Sequence, residues 1–189
     1  MDREQRRSAD VIESPPARQS ATESAWERFE ALYRSSRNDV YAYVMTILRD
    51  QAAAEDVTAV AFERAFRRRR TFDRRRGEER AWLFGIARNA ALDELRHRRR
   101  RAQLVVDPED ASTGSAVSQD EPDVALRRTA VRAAMAQLAG REREIVGLKF
   151  HAGLSNAEIA RVLGVSESNA GTLLYRTMEK LRRACDATA

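Results

Sequence analysis

Residues 102–123, AQLVVDPEDASTGSAVSQDEPD, carry six acidic side chains and no Lys or Arg, while the segments on either side are basic. Residues 24–101 hold 19 basic against 12 acidic side chains, and residues 124–189 hold 11 against 6. A stretch with Pro, Gly and Ser and little apolar periodicity has no face to bury, so it reads as a linker. The chain is thereby divided into two bodies. Two positive bodies joined by a negative strap suggest a polyanion gripped at two places. A genomic preference for arginine accounts for 32 of the 34 basic residues being Arg, but not for their segregation.

Within each body the apolar residues recur at helical spacing. The first 23 residues, polar and with a Pro pair, read as a disordered tail. Order is expected from Ser24, where Ser24 and Glu27 have the S-x-x-E spacing of a capping box. Phe29, Leu32 and Tyr33, then Val40, Tyr43, Val44, Ile47 and Leu48, continue one helical face. Val57, Ala61 and Phe62 form a second stripe, and Leu83, Ile86, Ala90 and Leu95 a third. Beyond the linker come four further helical segments, with breaks expected at Gly140, Gly153 and Gly164. No segment alternates with a period of two, so no strand is expected. The fold class is all-α: two small helical domains joined by a flexible acidic linker, the C-terminal one a four-helix helix-turn-helix unit. The boundaries are 1–23 for the tail, 24–101, 102–123 for the linker, and 124–189.

Several function classes are disfavoured. No stretch approaches the roughly 18 unbroken apolar residues of a membrane span, and the N-terminus lacks the apolar core of a signal peptide. A cytoplasmic protein without membrane insertion is expected. Cys185 is the single cysteine and His97 and His151 the two histidines, so no metal-ligand cluster and no cofactor are expected. Clustered carboxylates for metal-assisted hydrolysis, or a nucleophile with its base, are not found; an enzyme is not expected.

The segment SNAEIARVLGVSESNAGTLLYRTMEKLRR has the marks of a helix-turn-helix. Ser155 and Glu158 repeat the capping-box spacing, Ile159 and Leu163 line one face, Gly164 supplies the turn, Val165 plugs the angle, and Ser166 caps a last helix. Such a unit lays its second helix in the major groove. On that helix Ala170, Leu174, Thr177 and Leu181 should face the core, leaving Asn169, Thr172, Leu173 and Arg176 outward. Asparagine can bond an adenine edge and leucine can touch a thymine methyl. Yet residues 165–174 contain no Lys or Arg, so affinity has to come largely from elsewhere. Gly171 is a poor helix residue, costing about 1 kcal/mol against Ala. It either permits close approach to a phosphate or neighbouring chain, or is a tolerated blemish.

The first body supplies the charge. RAFRRRRTFDRRRGEERAW and RHRRRR bracket WLFGIARNAALDEL, so arginines flank a segment with aromatic rings. Arginine attracts phosphate and aromatic faces stack on bases, the combination by which unpaired strands are held. Trp82 alone reads as core sooner than as a base platform; the weight lies in the combination. A stand-alone helix-turn-helix regulator of duplex DNA is the alternative reading, but it has no need of the arginine and aromatic block.

AEDVTAVAFERAF, AWLFGIARNAALDELRHRRRR and LAGREREIVGLKFHAGLSNAEIARVLGVSESNAGTLLYRTMEKLR, in that order and with that linker, resemble the bacterial sigma factors of the extracytoplasmic-function group. The resemblance runs from Ser24 to Arg183. It implies a factor that binds core RNA polymerase at the beta-prime clamp and the beta flap, and that melts promoter DNA at the minus-ten element and reads the minus-thirty-five element. It also implies an anti-sigma partner. Carried onto this chain, the polymerase-binding surface comprises Glu55, Asp56, Ala59 and Val60, the last two standing where the family commonly has Gln and an acid. The minus-ten surface comprises Arg75, Arg80, Trp82, Arg88, Asn89 and Arg96. The minus-thirty-five surface comprises Ser166, Asn169, Thr172, Leu173 and Arg176, in a stretch where the family commonly has GTVKSR.

Overall fold

A computed structural model describes residues 16–73, 75, 77–104 and 122–186, with side chains described from Trp26 onward in the first body and from Thr129 onward in the second. All the longer elements among them are helices: α1 Pro16–Leu48, α2 Gln51–Arg68, a 3-10 turn Arg69–Thr71, α3 Glu79–Leu104, α4 Pro122–Ala136, α5 Gly140–Phe150, α6 Asn156–Leu163 and α7 Glu167–Asp186. The fold class expected from the periodicity therefore holds.

Two boundaries differ from the sequence reading. Helix α1 begins at Pro16, eight residues before Ser24, so the Ser24–Glu27 spacing lies inside a helix. Proline suits a first helical position because its missing N–H would have no partner there, and no helix breaker follows it. The rest of the expected tail, residues 1–15, lies outside the described residues. Of the expected linker, residues 102–104 complete α3 and 122–123 open α4, and the remainder lies outside the described residues.

The first body is α1, α2 and α3. Helix α1 stops at Leu48 because Arg49 takes a left-handed conformation, φ 56°, and Asp50 then caps α2 by accepting from the Ala53 N–H at 2.9 Å. That bond first, and the Arg98 guanidinium at 3.2 Å as well, hold the Asp50 carboxyl below its ordinary pKa of 3.8. Val40, Tyr43 and Val44 of α1, Val57, Ala61 and Phe62 of α2, and Leu83, Phe84 and Ala87 of α3 are buried together. Leu95 is only partly buried against them.

The second body is α4 to α7. Ser155 caps α6, its Oγ accepting from Glu158 N at 3.3 Å while Glu158 Oε2 accepts from Ser155 N at 2.9 Å. Gly164, at φ 67° and ψ 40°, ends α6, and Val165 N closes onto Ala160 O at 3.0 Å, the wrap that a left-handed residue permits. Ser166 caps α7 by accepting from Asn169 N at 3.2 Å. Gly153 also turns left-handed, but the break expected at Gly140 falls just before it, at residues 137–139. Helix α4 joins α7 through a small cluster of Ala134, Leu138, Val146 and Leu181.

The two bodies are in contact. Helix α5 lies on α1 and α6 lies on α3, and one continuous apolar cluster runs from Val40 in the first body to Ala170 in the second.

Candidate nucleic-acid interface

The N-terminal half of α3 forms one wall of a recess. Phe72 and Trp82 meet with ring centroids 5.3 Å apart, and with Arg68, Thr71, Gly77 and Asn89 they line a cavity of about 450 Å³. Trp82 is partly buried, packs on the core and also lines the cavity, so it is both core and wall. A flat aromatic wall, an amide and a guanidinium are the groups that hold a base by stacking, edge bonding and phosphate attraction. Arg161 and Val162 of α6 close the far side.

The other expected minus-ten residues are placed differently from one another. Arg75 and Asn89 are exposed. Arg96 is exposed and pairs with Asp93 at 3.0 Å, an (i, i+3) contact of small worth. Arg80 and Arg88 are committed inside the molecule. Arg80 reaches Asp39 Oδ2 at 2.6 Å and Ser36 Oγ at 3.1 Å in α1, and donates to the carbonyls of Ala152 at 2.6 Å and His151 at 3.1 Å in the second body. Arg88 Nε donates to Glu144 Oε1 of α5, with the two side chains 16% and 7% exposed. Beside this pair the Tyr43 phenol is buried, and burial first, then the Glu144 charge, raise its pKa well above 10.0. Burial likewise lowers the His151 imidazole from 6.5, with Asp39 opposing.

On α7, Ala170 and Thr177 are fully buried and Leu181 nearly so, as the periodicity required. Asn169, Thr172 and Arg176 are exposed, and Ser166 is exposed at the helix start. Leu173 is a correction. It is half-buried and packs against the core, because it lies at the edge of the inward face, about 60° around the helix from Ala170, and its apolar side chain turns to that side. Gly171 needs no close approach inside the chain, since an added Cβ would meet only the Asn156 amide at 3.6 Å, an ordinary contact. Tyr175, 69% exposed, adds an apolar group to the same outer face.

On α2, Glu55, Asp56 and Ala59 are exposed on one face, and Val60 is partly buried against the core. Glu55 and Ala59 border a second recess of about 480 Å³ with Tyr33, Arg37, Tyr41 and Phe62. Among the described residues no group of three His, Cys, Asp or Glu is arranged to hold a metal, and Cys185 is a free thiol. No helix among them is long and apolar enough to cross a membrane.

Residues 32–101 match the family Sigma-70 region 2, and residues 128–181 match Sigma-70, region 4. The chain is 32% identical over 163 residues to the ECF RNA polymerase sigma factor SigL of Mycobacterium tuberculosis, covering 86% of this chain and 90% of that protein. This chain belongs to the ECF sigma factors of the sigma-70 family. As such it directs RNA polymerase to promoters. The ECF sigma factor BldN of Streptomyces coelicolor is 35% identical over 158 residues, 83% of this chain, which spans 60% of the length of that relative. The fold is that of the sigma factor RpoE of Bartonella quintana, solved with the anti-sigma factor NepR: TM-score 0.72, 20% identity, covering 85% of this chain and 98% of that one. CnrH, solved with the cytosolic domain of CnrY, has the same fold with TM-score 0.61 and 24% identity.

Sequence reasoning passed over Arg68, Glu144, Gly147 and Arg161. Arg68 was one arginine in a run of four and had no mark of its own. Gly147 had one, because a glycine inside a helical segment signals a close neighbour. Glu144 shares a helical face with Gly147 and His151, and an acid on that face was the available signal.

Proposed function

We propose that this sigma factor divides promoter recognition between a melting body and a reading body. The α3 recess, with Trp82, Asn89 and Phe72, receives unpaired bases of the minus-ten element, and Arg75, Arg80, Arg88 and Arg96 hold the phosphates around it. Flipping a base costs a few kcal/mol, which a preformed stacking site offsets for the bases that fit, so melting and sequence preference are one event. Helix α7 enters the major groove at the minus-thirty-five element through Asn169, Thr172 and Arg176, with the positive N-terminal end at Ser166 against phosphate. Leu173 supports this face from behind. The outer face of α2, at Glu55, Asp56 and Ala59, docks on the polymerase clamp, with Val60 packing beneath it, and the second body docks on the flap.

The observation that carries this reading is the pair of bodies with complementary chemistry, an arginine-framed aromatic recess in one and a capped helix-turn-helix in the other. The chain makes and breaks no bonds; nucleotide transfer belongs to the polymerase. It works in the cytoplasm and is held in check by an anti-sigma protein. The test is transcription with purified core polymerase on genomic DNA, with RNA ends mapped. New 5′ ends sharing two upstream elements are expected. A protein that footprints duplex DNA alone and leaves polymerase unstimulated contradicts the reading.

A further inference from the structure

Trp26 of α1 stands edge to face on Phe66 of α2, with ring centroids 5.4 Å apart, and Phe29 meets the same ring at 5.1 Å. The Arg69 guanidinium lies 3.9 Å over the Phe66 centroid and donates to the Phe66 carbonyl at 2.7 Å. Trp26 nevertheless remains 55% exposed. That is more ring than the cover of Phe66 requires, since Phe29 already packs there, and an aromatic face left in water is stabilised when a partner covers it. The charge around it is positive and open. Arg68, Arg69 and Arg70 make no ion pair among the described residues, and Arg67 holds only the exposed Glu63, a pair easily exchanged. The same turn reaches the α3 recess, which Arg68, Thr71 and Phe72 line. From Phe66 to Phe72 the chain covers about 12 Å at the roughly 2 Å rise of a 3-10 turn. A strand stacked at about 3.4 Å per nucleotide crosses that distance in about three or four steps. An aromatic face with open guanidinium groups beside it suits unpaired bases and their phosphates, whatever the base. Inside a duplex the base faces are closed by stacking, so the fit is to a single strand.

We infer that Trp26, seated on Phe66 and flanked by Arg69 and Arg70, is a second stacking platform, which takes a base of the unpaired strand as that strand leaves the α3 recess. This rests on the minus-ten role proposed for the recess. The test uses the full chain with core polymerase in an open promoter complex, carrying Trp26→p-benzoylphenylalanine or, separately, Phe72→p-benzoylphenylalanine. Ultraviolet light links each ring to what it touches, and the linked nucleotide is mapped. The ring at position 26 should link to an unpaired base about two to four nucleotides from the one linked at position 72. A link from position 72 to the strand, with position 26 linked to polymerase, to duplex DNA or to nothing, overturns the platform and leaves the recess standing. Links from neither position to the strand overturn the minus-ten reading and the platform together. Lifetimes of the open complex supply a second readout. Trp26→Leu should shorten the lifetime about tenfold and Trp26→Phe much less, with circular dichroism and binding to core polymerase as in the wild type. An abasic site at the mapped nucleotide should shorten the wild-type lifetime as much and that of Trp26→Leu no further. Losses that add, or a Trp26→Leu complex as long-lived as the wild type, overturn the platform.

Discussion

Along α3 every arginine from Arg80 to Arg98 is tied to a carboxylate or carbonyl of this chain, whereas on α7 the outward Arg176 is exposed and makes no ion pair among the described residues. Between Arg80 and Arg98 α3 thus offers DNA less charge than its sequence suggests, whereas α7 leaves Arg176 open, although Lys180 and Arg182 further along it pair with Glu142 and Glu179. Charge counted along a helix is not charge available. Exposed pairs such as Arg96–Asp93 are exchanged for phosphate at little cost, while a pair shielded as Arg88–Glu144 is must be exchanged whole. On the roles proposed for the two helices, affinity from α3 is therefore conditional on the arrangement of the two bodies, and recognition by α7 is standing.

The largest effect should come from Arg88→Ala. It leaves Glu144 with only the more distant Arg141, at 3.5 Å, and breaking one side of a buried pair costs about 3–5 kcal/mol. Most of that should appear as loss of docking, read by scattering, because opening the chain rehydrates Glu144. Promoter opening by the polymerase should fall as well, since the phosphate contact is gone. Docking that survives Arg88→Ala would make the two helices more alike than proposed.

Next in size, Arg176→Ala should weaken use of promoters that depend on the upstream element by about 1–3 kcal/mol, read as transcription against template concentration. Its unfolding free energy should stay within about 0.5 kcal/mol of wild type, as for a surface site. A large loss of stability would mean that α7 is engaged inside the molecule as α3 is.

The smallest effect is local to the turn that aims α7. Ser155→Ala removes the α6 cap and should cost about 1 kcal/mol in urea unfolding. The Ser155 hydroxyl, first among the causes, holds the Glu158 carboxyl below its ordinary pKa of 4.5. A carboxyl depressed by folding contributes stability that is fully present above 4.5 and is lost as pH falls through its folded value. The wild type should therefore lose more stability than Ser155→Ala between pH 5 and pH 3, and parallel acid curves would remove the capping box from the account.

What was legible in the sequence was local. The helices, the Ser155 cap, the left-handed Gly164 and the inward Ala170, Thr177 and Leu181 all follow from spacing within a turn or two. Leu173 was misplaced because a sharp inward and outward division leaves no room for residues at the border, and an apolar side chain there turns inward. The start of α1 was missed because a polar helix has no apolar stripe to announce it. Of the candidate site, Trp82 stood out in the aromatic and arginine block, and Asn89 was named only through the family resemblance. The burial of Arg88 under Glu144 was not, because the partners are 56 residues apart and meet only when α5 lies on the first body. Gly147 was the trace of that meeting.

The most direct test compares Arg88 with Arg176 in one molecule. The free chain, and the chain bound to core polymerase without DNA, are treated with an arginine-specific dicarbonyl and the modified positions are read by mass spectrometry. The account predicts that Arg176 reacts quickly in the free chain, while Arg88 is slow there and becomes fast once polymerase is bound. Equal reactivity of Arg88 and Arg176 in the free chain would contradict it.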